Sequence, residues 1–260
     1  MTDWFDKTNA EKAFSSNGAT RTVLHGLVED GEPLAAKNFI IALSGVRHDD
    51  AADFLRNKAD DAVWDDVSDA FDALYKKLVD KNDHMWLTNF TKKADRDDND
   101  TNSQVQEVHI HVLSGAPQPG KEFIGETRSF HPRPNKDVYK LFAENRHDIL
   151  GIDMGEGIKA VPLPNGVKEA QQHFAIVNDN YASFHDFIEN ASREEKRTFW
   201  KAVAKLALPL VENGKGARVG YYNLKGAADA KAGRMVVEIA GAENLGQNGA
   251  RKRWYREPTP

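Results

Sequence analysis

The sequence predicts an α+β protein built from two diverged copies of one unit, each running strand, helix, strand, strand. Three observations predict it. Two short apolar strands recur, two Asp-Phe-x-x-Asn segments recur, and each is followed by one amphipathic helix and a strand pair in the same order.

The first strands are Asn38-Phe-Ile-Ile-Ala-Leu43 and His173-Phe-Ala-Ile-Val177, rich in the Phe and β-branched residues that suit a pleated surface. Asp53-Phe-Leu-Arg-Asn57 then matches Asp186-Phe-Ile-Glu-Asn190. The helices follow. In the first copy Trp64, Val67, Phe71, Leu74 and Leu78 recur at three- and four-residue steps; in the second, Phe199, Val203, Leu206 and Leu210 do the same. That period draws one apolar stripe along a helix. Ser192-Arg-Glu-Glu195 is a capping box at the start of the second helix. Pro209 is expected to stop or kink that helix.

The strand pairs are Met85–Phe90 with Val108–Gly115, and Val219–Leu224 with Arg234–Gly241, so that Asn89 matches Asn223 and Gly115 matches Gly241. The acidic run Ala94–Asp100 reads as an insertion in a surface loop of the first copy, which costs little. The expected organisation is 1–116 for the first unit with an N-terminal extension, 117–170 for a connecting segment packed on the repeats, and 171–260 for the second, degenerate unit with a basic tail. The connecting segment is rich in Pro and Gly and carries a predicted helix around Asp137–Asn145; Gly151–Gly157 reads as a loop.

Composition narrows the function classes. With 260 residues, 40% hydrophobic and 29% charged, the chain can bury a substantial core. A net charge of −5 disfavours a nucleic-acid binder, and the basic stretch Arg251–Arg256 reads as a solvated tail. There is no cysteine, so disulfides, thiolate metal sites and cysteine nucleophiles are absent. Neither a signal peptide nor an apolar run long enough for a membrane helix is evident, and a cytoplasmic, non-membrane protein is expected.

Chemistry concentrates on Glu107, His109 and His111, which alternate with Val108 and Ile110. In a strand, alternate residues share one face, so these three converge whatever the rest of the fold does. The remaining histidines (His25, His48, His84, His131, His147, His173 and His185) are scattered and read as surface or packing residues.

Glu107-Val-His-Ile-His-Val-Leu113 resembles the histidine triad signature, His-φ-His-φ-His-φ-φ, with Glu in place of the first His. The order of elements before it is similar too. The resemblance covers roughly residues 36–115, with residues 171–241 as a degenerate second copy, and the internally duplicated galactose-1-phosphate uridylyltransferase branch is similar in arrangement. It implies two HIT-like units forming an intrachain pseudo-dimer, with antiparallel sheets and packed helices. It implies a nucleotide phosphate hydrolase or nucleotidyltransferase in which His109 forms a covalent nucleotidyl-histidine. His111 would hydrogen-bond the phosphate or leaving group. Asn89 and Ser103 or Gln104 would orient phosphate oxygens. Glu107 could orient His109, though it would repel an incoming phosphate. On the second strand Met235 and Val237 replace the two histidines, so that copy is a structural partner or lends Tyr221, Tyr222 and Asn223 to a shared cleft. No cofactor is required, though a divalent cation can accompany the substrate. The expected partner is a nucleotide or nucleotide conjugate, bound by a monomeric pseudo-dimer or a higher oligomer of it.

Two other readings compete. A non-catalytic nucleotide- or partner-binding protein on a decayed scaffold would explain the missing first His and the missing second site. Two His and one carboxylate could alternatively hold a metal, but Glu122, the next Glu after His111, lies beyond Pro117, Pro119 and Gly120, a poor match to the His-x-His-Glu spacing of cupins. No phosphate loop, His-Glu-x-x-His helix or Gly-x-Ser-x-Gly elbow is present.

Overall fold

The protein, seen in a computed structural model, is described for residues 10–14, 21–26, 35–47, 50–76, 84–90, 107–117, 150–163, 172–213, 216–223 and 234–242. The Asp137–Asn145 helix, the Ala94–Asp100 run, Ser103, Gln104 and the Arg251–Arg256 tail lie outside these residues.

The fold is α+β. Its strands are β1 (Ala10–Phe14), β2 (Arg21–Gly26), β3 (Ala35–Arg47), β4 (His84–Phe90), β5 (Glu107–Pro117), β6 (Ile152–Gly155), β7 (Ile158–Pro162), β8 (Gln172–Asn178), β9 (Gly216–Asn223) and β10 (Met235–Ala242). They form one ten-stranded sheet in the order β1-β2-β3-β5-β4-β9-β10-β8-β7-β6. Every pairing is antiparallel. Counted outward from the central β4–β9 pair, the two arms repeat the same connectivity: a hairpin partner, the strand before the helices, then a terminal hairpin.

The helices lie on one face. α1 (Ala51–Asp53) runs on as a π-helical turn over Phe54–Lys58; α2 is Asp61–Tyr75, α3 Phe184–Asn190 and α4 Arg193–Glu212. Each long helix starts where a side chain satisfies its orphan amides. Asp60 accepts from the Val63 amide at 3.0 Å. Ser192 accepts from the Glu195 amide at 3.2 Å while Glu195 accepts from the Ser192 amide at 2.7 Å, the expected capping box. The recurrent Asp-Phe-x-x-Asn segments make the same bond: Asn57 Nδ2 donates to Asp53 at 2.8 Å, and Asn190 Nδ2 to Asp186 at 2.7 Å.

One core joins both arms. Val108, Ile110 and Val112 of β5 and Met235, Val237 and Ile239 of β10 face the helices and are buried. Above them the Trp64 and Trp200 rings stack at 5.7 Å with an interplanar angle of 12°. Phe71 packs edge-on to Phe184 at 5.2 Å and lies 5.5 Å from Trp86. Arg197 closes the α2–α4 seam with a bidentate pair to Asp65 at 2.7 and 2.6 Å, Arg193 adds Asp69 at 3.3 Å, and Lys201 adds Asp61 at 2.7 Å. The Asp65 hydrogen bond holds the Arg197 pKa above its ordinary value. The Lys201 hydrogen bond lowers that of the Asp61 carboxyl.

Three expectations are corrected. Pro209 does not end α4, which continues to Glu212. Its missing N–H removes the one bond to the Lys205 carbonyl, but its own carbonyl still accepts from the Asn213 amide at 3.2 Å and keeps the last turn closed. Gly151–Gly157 is not a loop: it supplies β6 and a tight turn in which Glu156 and Gly157 have φ of 51° and 71°, with Asp153 accepting from the Gly155 amide at 2.9 Å. The landmark matches also slip by one residue. Ser114 pairs with His84 and Gly241 with Ala217, so Gly241 matches Ser114 rather than Gly115. Gly241 is required by close approach: a Cβ there would stand 2.7 Å from Leu210 Cδ2. Among the described residues no helix is long and apolar enough to cross a membrane.

The seam yields a stability prediction. Trp200 Nε1 donates to Ser68 Oγ at 3.2 Å, whereas the buried Trp64 Nε1 has no partner. Ala204 follows Trp200 by the same four residues as Ser68 follows Trp64, so Ala stands where the reciprocal hydroxyl would be. Ser68→Ala will cost about 1–3 kcal/mol in urea unfolding, by orphaning the Trp200 indole as well. Ala204→Ser will gain about 1 kcal/mol.

A pH prediction follows from the Tyr181–Glu195 hydrogen bond at 2.7 Å. Burial, then the bond to Glu195, pushes the Tyr181 phenol up to about 12 from 10.0. Burial raises the Glu195 carboxyl, but the Ser192 amide and the Tyr181 hydroxyl outweigh it and leave it below 4.5. The phenol's contribution is complete below pH 10.0 and is lost as pH rises towards 12. The carboxylate's contribution is complete above pH 4.5 and is lost as pH falls below it. Thermal melts across pH will show both losses, and Tyr181→Phe will shrink the alkaline one.

Candidate active site

The site is set by strand phase. On β5 the helix-facing positions are Val108, Ile110 and Val112, so Glu107, His109 and His111 take the opposite phase, on the face away from the helices. His109 is half-buried. Its carbonyl accepts from Thr88 Oγ1 at 2.8 Å, a bond that clamps β4 to β5 beside the histidine. Thr88, Trp86 and Phe90 are buried against the helices, which puts Asn89 in the phase of the histidines.

The ladder shows which residues stand side by side. Ile110 pairs with Thr88 at the end of the β4–β5 ladder, and His109 and Asn89 are the next residues along the two strands. His109 pairs with Ala42 on its other side, and His111 with Ile40 and Leu87. His25, whose sequence neighbourhood gives it no role, falls in the His111 row with Ile40 between them. Glu107 pairs with Arg47 on β3. The sequence-predicted residues Glu107, His109, His111 and Asn89 therefore lie on neighbouring strands in one phase.

The second arm differs from expectation. Leu87 pairs with Gly220, Gly220 with Glu238, and Glu238 with Ala175. Counted from the centre, Glu238 thus takes the place of His111, and Val236 that of His109. Met235 and Val237, expected to replace the histidines, face the helices instead. Likewise Asn223 is in phase with the buried Ala217, Val219 and Tyr221, so it is not the counterpart of Asn89; that place belongs to Tyr222. Tyr221, expected to serve a shared cleft, instead has its ring 5.5 Å from Phe184 in the core.

Three charged or titratable residues that sequence reasoning passed over occupy this face. Glu238 Oε2 meets His173 Nε2 at 2.9 Å, and both residues are buried, at 5% and 6% exposure. Arg218 is also buried, at 5%, and pairs directly with Asn89 across the β4–β9 seam. His173 was readable only as the first residue of an apolar strand, and nothing local links it to Glu238, 65 residues away. Among the described residues no three His, Asp or Glu side chains form a group that could hold a metal ion.

The arrangement offers imidazoles on a central strand, an amide beside them and a guanidinium one strand further. Such a set can attack, hydrogen-bond and charge-stabilise a phosphoryl group. No protein-family model matches the sequence, and no curated protein matches it.

The buried Glu238–His173 pair makes a testable demand. Glu238→Ala will cost about 3 kcal/mol or more, since it strips a buried group of its partner. The double substitution His173→Phe with Glu238→Leu, which removes both polar groups at similar volume, will recover most of that loss in denaturant titrations.

Proposed function

We propose that the chain is two histidine-triad-like units folded into an intrachain pseudo-dimer, acting on a nucleotide or nucleotide conjugate in the cytoplasm. The observation that carries this reading is the common phase of His109, His111 and Asn89 on adjacent central strands, away from the helices. The matching connectivity of the two sheet arms supports the duplication.

In the proposed reaction a nitrogen of His109 attacks the α-phosphorus. The P–N bond forms as the P–O bond to the leaving group breaks, and His111 supplies a hydrogen bond or proton to the departing oxygen. Water or an acceptor hydroxyl then displaces His109, completing hydrolysis or transfer. Asn89, with Ser103 or Gln104, orients the phosphate oxygens. Glu107, opposite Arg47, would orient His109. No resident metal enters these steps, and a divalent cation would arrive with the substrate.

A non-catalytic nucleotide-binding protein is the second reading. It is favoured by the carboxylates at two motif places: Glu107 at the first, and Glu238 at the second arm's counterpart of His111. Incubation with α-labelled dinucleoside polyphosphates, nucleotide sugars and nucleoside phosphoramidates separates the two. Turnover and an acid-labile protein-bound label in the wild type, both lost in His109→Ala, are the expected outcome. Stabilisation by nucleotides in thermal melts without turnover or label would leave the binding protein.

A further inference from the structure

We propose that β6 is a dimer edge: in two copies of the chain it pairs with itself, antiparallel, about a two-fold axis centred on Ile152. β6 is the last strand of the sheet and, among the described residues, has a neighbouring strand on one side only. A strand so placed presents a row of backbone donors and acceptors to whatever can pair with it. The exposed large apolar side chains of the described residues are gathered here. Ile152 is 59% exposed, and Leu150, just before the strand, is 37% exposed.

The edge is fixed before any partner arrives. The β6–β7 turn is held from the neighbouring strand, where Asn178 Nδ2 donates to the Glu156 carbonyl at 3.4 Å. Asp153 accepts from the Gly155 amide at 2.9 Å, and Met154 packs against the main core. Little ordering is left for a partner to impose.

Phase and charge together select the partner and the register. Opposed residues of an antiparallel pair point to one face, so two copies of β6 continue the sheet only with a residue at the axis. Ile152 pairs with Ala160 and takes the helix side, as does Met154, whereas Asp153 pairs with Lys159 and takes the other. An axis at Asp153 would set two carboxylates against each other, which destabilises a strand pair. An axis at Ile152 sets that side chain against its own copy and sets Asp153 against the copy's Gly151, so no like charges meet. Leu150 then falls at the rim of the same contact, towards the copy's Met154. The most exposed apolar side chain is buried at the centre, and the one carboxylate of the strand faces a glycine.

The strand has four residues. The contact therefore lies below the roughly 1,200 Å² of a standard interface, and the dimer is a weak one. Pairing about a two-fold uses this edge on both copies and closes at a dimer. β6 lies six positions from β5 in the sheet, so the inference stands whether or not the nucleotide reading does.

The chain has no cysteine, so one introduced thiol reports on one place. Full-length wild type, Ile152→Lys, Ile152→Cys and Glu156→Cys are compared by sedimentation at rising concentration. The two thiol variants are also compared by their rate of disulfide-linked dimer formation in mild oxidant. At the axis, opposed Cβ atoms stand about 4.5–5.5 Å apart, close to the span of a disulfide. The two copies of position 156 stand about 26 Å apart along the pair. A concentration-dependent dimer is expected in the wild type, with association at least about tenfold weaker in Ile152→Lys and an unchanged thermal melt. Ile152→Cys is expected to link at least about tenfold faster than Glu156→Cys. Faster linkage carries the inference even where the dimer is too weak to sediment. Equal linkage rates overturn it, and so does a dimer that persists in Ile152→Lys.

Discussion

The stacking of Trp64 on Trp200, closed over by the Arg197–Asp65 pair, is the constraint on which the rest depends. Through it α2 and α4 share a single core, and the β4–β9 ladder beneath them becomes the middle of a sheet rather than two exposed edges. An unpaired edge at this position would present open backbone donors and acceptors to solvent or to other chains. Buried aromatic area supplies most of the adhesion, and the bidentate ion pair fixes which helix faces meet.

From that seam the geometry of the polar face follows. With the helices all on one side, each strand is divided into a helix-facing phase and an opposite phase, which on β7, β8 and β10 is itself buried through Val161, Ala175, Val177 and Val236, and a one-residue shift would exchange the two. Val108, Ile110 and Val112 fill the core phase of β5 so completely that His109 and His111 have only the other face. The same rule turns Met235, Val237 and Tyr221 towards the helices and places Glu238 and Arg218 in the opposite phase.

The legible parts were those that depend on local period. The helix stripes, the Ser192–Glu195 box, the first strands and the shared face of Glu107, His109 and His111 can all be read within a few residues. Register between distant strands cannot. Matching Asn89 to Asn223 and Gly115 to Gly241 by residue type was wrong by one position, which in a strand means the opposite face. The terminal hairpins escaped because β6 and β7 are short and joined by a Gly-rich turn that resembles a loop. Arg218, Glu238 and His173 escaped because their meaning lies in cross-strand neighbours, not in sequence neighbours.

The one-residue accuracy of the ladder has a wider consequence. Two identical chains related by a two-fold must fill equivalent places alike, so a charge gained on one side of their seam is gained on the other. Here His111 and Glu238, and Ser68 and Ala204, occupy corresponding places and differ. A single continuous polypeptide can specialise one flank of such a seam and simplify the other. It can therefore place histidines on one arm and a buried Glu238–His173 pair on the other, an asymmetry that two identical chains could not sustain.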